Sequence, residues 1–254
     1  MDLRELPVGS FARHPWETAR AGFFLGLLRE HLRSPAGALD VGAGAGYLAR
    51  RLLCELPGLT RVTCLDPGYG PEWLEKPPKS PPGLDFARAW PRETFGLVLL
   101  LDVLEHAPED QGLLAEAAAH AGPGGWLLLS VPAHPALSSH HDVLIGHERR
   151  YAPAALSGLA SAAGLELVAE GQLFTSLLVR RALAKGVEAV RGSRAASSPG
   201  GRHIETSLGT WHHGPMVTWT VNKLLDLDAQ GGCFAARWGL PLPGPSAWVL
   251  ARRP

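Results

Sequence analysis

The chain has 254 residues, and its 24 Lys and Arg balance 24 Asp and Glu to a formal net charge of zero. That balance excludes the basic footprint of a nucleic-acid binder, and the arginine pairs at 149–150 and 180–181 read as solvated faces. The length suits one α/β domain with insertions, able to bury roughly 70–75% of its unfolded surface without disulfides or metals as staples.

Residues 15–34 place Phe23, Phe24, Leu27, Leu28 and Leu32 at helical spacing, behind a proline suited to a first turn. "GALDV" (37–41) is a short apolar strand that ends at a glycine-rich turn. Residues 45–56 return to helical spacing, and "RVTCLD" (61–66) is a second strand ending in an acid. Six prolines in 67–83 exclude a long helix there, because each internal proline removes a donor and clashes with the preceding turn. Strands are expected at 84–89, 95–102, 124–132 and 165–171, and helices at 108–121 and 153–164. Strands this continuously apolar, alternating with helices, imply a doubly wound parallel sheet covered on both faces.

After residue 171 the pattern loosens. Helices are expected at 173–190 and 215–229, with a polar Gly/Ser-rich loop at 191–214 and a last strand at 246–253. The expected organisation is an N-terminal helical cover (1–35), a binding core (36–171), a helical and looped insertion (172–245) and a closing strand (246–254). Cys54, Cys64 and Cys233 show no CxxC spacing and read as buried thiols in a reducing compartment. The N-terminus has no signal-peptide pattern and no apolar run reaches ~18 residues, so a cytoplasmic protein without a membrane span is expected.

"DVGAGAG" (40–46) carries the chemistry. Glycines after a strand let a ligand approach the backbone, and the following helix presents its positive N-terminus. A dinucleotide fingerprint needs a third glycine three residues after Gly44, where Tyr47 stands, and no Gly-Lys-Ser/Thr follows to make a P-loop. Asp66 lies at the next strand tip, placed to accept both hydroxyls of a ribose.

Together "LDVGAGAG", "CLDPG" and "LLLDVLEHAPED" (99–110) resemble the class I S-adenosylmethionine-dependent methyltransferases, over roughly residues 10–171 and the last strand. The resemblance implies a seven-stranded, mostly parallel Rossmann-like sheet and S-adenosyl-L-methionine as cofactor. It implies that Asp40 orders the turn and meets the methionine amino group, while Gly42, Gly44 and Gly46 pass beneath the methionine and ribose. Asp66 would grip the ribose, Pro67 would pack beside the adenine, and Asp102 and Val103 would border the methyl end. Trp16 and Arg20, four apart on one helical face, would cover the cofactor and meet its carboxylate; anchoring on the core is the other reading. Trp90, or a backbone donor near Phe86 to Ala89, is a candidate for the adenine edge. The reaction implied is methyl transfer to a small-molecule acceptor at O, N or C. A non-catalytic S-adenosylmethionine-binding protein and a dinucleotide-dependent oxidoreductase are the rivals.

A base for the acceptor is sought in "VPAHPALSSHHDVLIGHERRY" (131–151), where His141 and Asp142 read as a base and its orienter. Alternatively, its polar groups hold the insert onto the sheet, with His147 and the arginines pairing with carboxylates. No metal is assigned, since the histidine spacing is irregular. His106 is a second base candidate, and with Glu105 it can instead support the turn. Phe174, Leu177, Trp211, His212, His213, Trp219 and Trp238 could line the acceptor side.

Overall fold

A computed structural model describes residues 13–33, 35–75, 80–183, 211, 213–238, 240 and 242–254. Helix α1 (Pro15–His31) precedes β1 (Gly37–Val41), α2 (Tyr47–Glu55), β2 (Arg61–Leu65), a single turn α3 (Pro71–Leu74) and β3 (Leu84–Ala87). Then follow β4 (Phe95–Leu101), α4 (Asp110–His120), β5 (Ala121–Pro132), α5 (His140–Leu144), α6 (Pro153–Ala162) and β6 (Glu166–Leu173). Helix α7 (175–183), α8 (Pro215–Arg237) and β7 (Ser246–Arg252) complete it.

The seven strands run in the order β3-β2-β1-β4-β5-β7-β6, all parallel except β7, which pairs antiparallel with both β5 and β6. Alternate residues of each strand face opposite ways, so one strand serves two cores. Ala38, Leu97, Leu99, Leu128 and Leu250 pack beneath α1, α2 and α8. Leu39, Val98, Leu100, Leu127 and Leu129 pack against α4 and α6. Leu99 sits fully buried in β4 between Asp40 of β1 and Leu128 of β5. Leu99→Ala is expected to cost about 2–5 kcal/mol through lost burial and a cavity. A lower urea midpoint at unchanged slope would show it.

The differences from the sequence reading have local causes. Strand β5 starts three residues early, at Ala121 rather than 124, because Gly122, Pro123 and Gly124 mask a strand that continues from α4 without a loop. The expected helix at 173–190 begins only after Phe174, whose φ of +67° makes the corner leaving β6. Its end, and the polar loop over 191–210, lie outside the described residues. Helix α8 runs through Gly231 and Gly232 to Arg237 rather than stopping at 229. Cys64 is buried as expected but Cys54 is exposed, two residues on from buried Leu52 and so on the opposite face of α2; the side chain of Cys233 lies outside the described residues.

Candidate active site

Strand order reverses between β1 and β4: β2 lies to one side of β1, while β4 begins the other half. Ligands of open α/β sheets bind at such a point, beyond the carboxyl ends of the strands. Gly42 follows β1, Asp66 follows β2 and Asp102 follows β4, so the three sequence motifs share this edge.

The glycine turn is tied to the β2 tip. Gly42 N–H donates to the Leu65 carbonyl at 2.7 Å. Gly44 N–H donates to Asp66 Oδ2 at 3.2 Å, and the Tyr69 hydroxyl donates to the Gly44 carbonyl at 2.7 Å. Gly42 has φ +68°, and a Cβ there would stand 2.6 Å from Val103 Cγ2. No other residue type leaves this floor open between the β1 and β4 tips. Asp66 Oδ1 also accepts from Gly68 N–H at 2.8 Å. A carboxylate has about four acceptor sites, so two remain for a ligand's hydroxyls.

Asp40 is 5% exposed. Burial pushes its carboxyl up to about 7, against the pull of the Arg20 guanidinium nearby. Arg20 reaches across from α1 to form an ion pair with Asp102, and its guanidinium lies 4.7 Å from the Trp16 ring centroid. Asp102 itself has φ +57°, a strained position for a non-glycine residue. Helix α1 therefore brings Trp16 and Arg20 over the β1–β4 crevice, and Trp16 also packs on the core. Tyr47, which breaks the dinucleotide pattern, carries Arg13 over its ring at 4.1 Å. That contact was not legible in the sequence, because it joins the residue ahead of the α1 cap to the first residue of α2.

Pro67 lies at the head of the turn beyond β2, and two residues on the buried Tyr69 packs against Trp73 at 5.2 Å and Phe86 at 5.3 Å between ring centroids. Trp90, the sequence candidate for the adenine edge, is elsewhere. It stacks on His120, the last residue of α4, which leads into the start of β5 at the opposite edge of the sheet. A cleft of about 330 Å³ also opens at that opposite edge, lined by residues such as Leu32, Phe95 and Trp126; it carries none of the strand-tip groups.

The insert between β5 and α6 is closed at its base. Ala133 bridges Tyr151, Tyr151 N–H donates to the Pro132 carbonyl at 2.9 Å, and His134 N–H donates to Tyr151's carbonyl at 2.8 Å. Asp142, 2% exposed, is its hub. Its oxygens accept from Ser139, from Arg150 at 2.6 Å and from Arg181 of α7 at 2.8 Å, and His147 Nδ1 stands at 3.3 Å. Burial alone would raise this carboxyl, but His147, Arg150 and Arg181 outweigh it and hold it well below the usual carboxylate range. The ring that Asp142 orients is thus His147, not His141: successive residues of α5 point about 100° apart. His141 is half-buried, and burial and then the Arg181 charge lower its pKa, favouring the neutral ring.

His106 lies in a 3₁₀ turn, 104–106, directly after Val103. Its Nδ1 is 3.0 Å from the Gly146 carbonyl, and the His106 and His147 rings meet edge to face at 4.8 Å. Glu105 beside it is fully buried. Burial and then the Asp102 charge raise its carboxyl well above its ordinary value. Of the residues considered for the acceptor side, Phe174 is core and Leu177 packs against it. Trp211 meets His14, the N-cap of α1, at 5.1 Å and His213 at 4.5 Å. Trp219 and Trp238 are exposed on α8 and its end, and His212 lies outside the described residues. Among the described residues no helix is long and apolar enough to cross a membrane.

Comparison with known proteins agrees with this geometry. No curated protein matches the chain. A chain of the complex between the Haloferax volcanii Trm112 methyltransferase activator and a methyltransferase superposes with TM-score 0.55 at 17% identity, over 95% of this chain and 90% of that one. The N-methyltransferase NodS from Bradyrhizobium japonicum, in complex with S-adenosylhomocysteine, gives 0.51 at 14% identity, over 95% and 89%. The [4+2]-cyclase SpnF gives 0.55 at 16% identity, over 97% and 85%. The profile of the methyltransferase-domain family matches residues 16–170. These residues span α1 to β6 and hold the whole strand-tip constellation, so the chain belongs to the methyltransferase-domain family.

Proposed function

We propose that the protein transfers a methyl group from S-adenosylmethionine to a small molecule at an oxygen, nitrogen or carbon atom. The observation that carries this is the shared edge at β1, β2 and β4, where an open glycine floor, two carboxylates and the roof of α1 converge. The sulfonium supplies the methyl group; the chain's own residues bind, orient and exclude water. Asp66 holds the ribose hydroxyls on its spare acceptor sites, with Pro67 on the adenine side. Asp40 takes the ammonium end, and Arg20 exchanges Asp102 for the methionine carboxylate as Trp16 closes over it. Gly42, Gly44 and Gly46 leave the space beneath, and Asp102 and Val103 border the reacting end.

Proton removal from the acceptor falls to the polar groups beside that end. His106 closes the 3₁₀ turn that follows Val103, and burial and then the Arg181 charge lower the pKa of His141, which favours the neutral, proton-accepting ring. Asp142 acts at one remove, by fixing His147 and the insert.

Calorimetric titration with S-adenosylhomocysteine tests the reading. Below about pH 7 Asp40 holds a proton that an incoming ammonium displaces. Affinity should therefore fall as pH drops below 7, and binding should release a proton. An absence of binding heat at millimolar ligand would sink the proposal. Binding without label transfer from methyl-tritiated cofactor to any pool of small hydroxyl, amine and carbon acids would favour a non-transferring use of the cofactor.

A further inference from the structure

Glu105 poses a problem that methyl transfer does not solve. Its side chain is fully buried, and among the described residues no other residue donates a hydrogen bond to either oxygen. A buried carboxylate is costly unless paired or bound to a cation. Its Oε1 lies 3.7 Å from His147 Nε2, beyond hydrogen-bond reach. Two ligands at ~2.1 Å from one tetrahedral ion stand roughly 3.4 Å apart, close to that spacing. His106 completes a set of three whose ligand atoms all lie within 4.8 Å of one another.

Both rings are turned as ligands would be. The Gly146 carbonyl can only accept, so the His106 nitrogen facing it at 3.0 Å, Nδ1, carries the proton and the lone pair sits on Nε2. Asp142, paired with Arg150 and Arg181, stands 3.3 Å behind the His147 Nδ1, and the His147 Nε2 is the ring nitrogen turned toward Glu105. A carbonyl or carboxylate behind each imidazole is the outer shell that fixes metal-bound histidines.

We propose that Glu105, His106 and His147 form a binding site for a divalent first-row transition cation, with Glu105 giving a carboxylate oxygen and both histidines their Nε2 atoms. Two imidazoles and one carboxylate suit zinc, manganese or ferrous iron rather than magnesium or calcium, which take mostly oxygen ligands. Three protein ligands leave a position open, and with the cation on its Nε2 His106 is no longer a base, so proton removal in the loaded protein falls to His141. Since the 3₁₀ turn follows Val103, that position is offered to water or to an oxygen of the methyl acceptor; this last role rests on the methyl-transfer reading, the binding of the cation does not. The irregular histidine spacing hid the site in the sequence, because Glu105 and His106 come from the 3₁₀ turn after β4 and His147 from the insert.

The test uses the full chain, stripped with EDTA and desalted, then titrated with cobalt(II) chloride. Visible d–d absorption saturating near one cobalt per chain, displaced by zinc, is the expected result, with a rise in Tm on adding zinc. His106→Gln, at the partly open side of the cluster, should keep the fold and weaken cobalt binding by more than about 100-fold, beyond the roughly 10–100-fold loss typical of outer-shell partners. Glu105→Gln should do the same. No visible band and an unchanged Tm with cobalt, zinc and manganese would overturn the site. So would cobalt binding in both variants as strong as in the parent chain. A Glu105→Gln protein more stable than the parent and indifferent to cations would show a buried neutral carboxyl instead. S-adenosylhomocysteine calorimetry on the same preparation keeps the outcomes apart: failure there sinks the methyl-transfer reading and leaves the cation site to stand or fall on cobalt.

Discussion

Asp142→Ala is expected to lower Tm by about 6–12 °C, equivalent to about 3 kcal/mol in a chain of this size. The substitution removes the counter-ion of Arg150, whose side chain is 5% exposed, and frees Arg181 and Ser139 from the same carboxylate. Leaving one member of a buried pair without its partner costs more than the pair itself contributes. Arg150→Met placed on top of Asp142→Ala should recover part of the loss, because the stranded charge is gone. Thermal melts of both variants check this. A Tm within 1 °C of the parent in Asp142→Ala, together with lost activity, would instead make Asp142 a participant in the chemistry. The expected outcome makes it a positioning residue for His147, so a drop in turnover on its removal carries no information about the base.

Asp66→Ala should weaken S-adenosylhomocysteine binding by about 100-fold, ~2.7 kcal/mol. Two charge-assisted hydrogen bonds to the ribose would go, each worth about 1.5–3 kcal/mol before relaxation. The Gly44 and Gly68 N–H groups would also lose their acceptor, loosening the floor of the site. Asp66→Asn, which keeps one acceptor oxygen, should fall between. Calorimetry on all three proteins measures it, and equal affinities would remove Asp66 from the site.

The strands were legible because burial on both faces leaves nearly continuous apolar runs, as in Leu97–Leu100 and Leu127–Leu129. The glycine turn was legible because it stays local: Gly42 to Gly46 and the neighbouring strand tips follow from chain order. What sequence spacing could not show were pairings set by the tertiary fold. The adjacent His141 and Asp142 invite a dyad, yet helical geometry separates them and carries the carboxylate to Arg150 and His147. Trp90 looked placed for an adenine and instead stacks on His120. Trp219 and Trp238 read as pocket or core and are exposed, 65% and 73%. Glu105 was visible only as one acid in "LEH"; its isolation depends on what surrounds it.

The antiparallel β7 has a consequence for assembly. Among the described strands, β6 bonds only to β7. The ribosome delivers β7 long after β6, with α7 and α8 between them. During synthesis β1 to β5 can pair as they emerge, while β6 waits for a partner not yet made. The strand-tip floor can thus mature before the far side of the sheet does. A folding nascent chain would pass through a cofactor-competent half with an unclaimed β5 edge, the stage at which mispairing between chains is most costly.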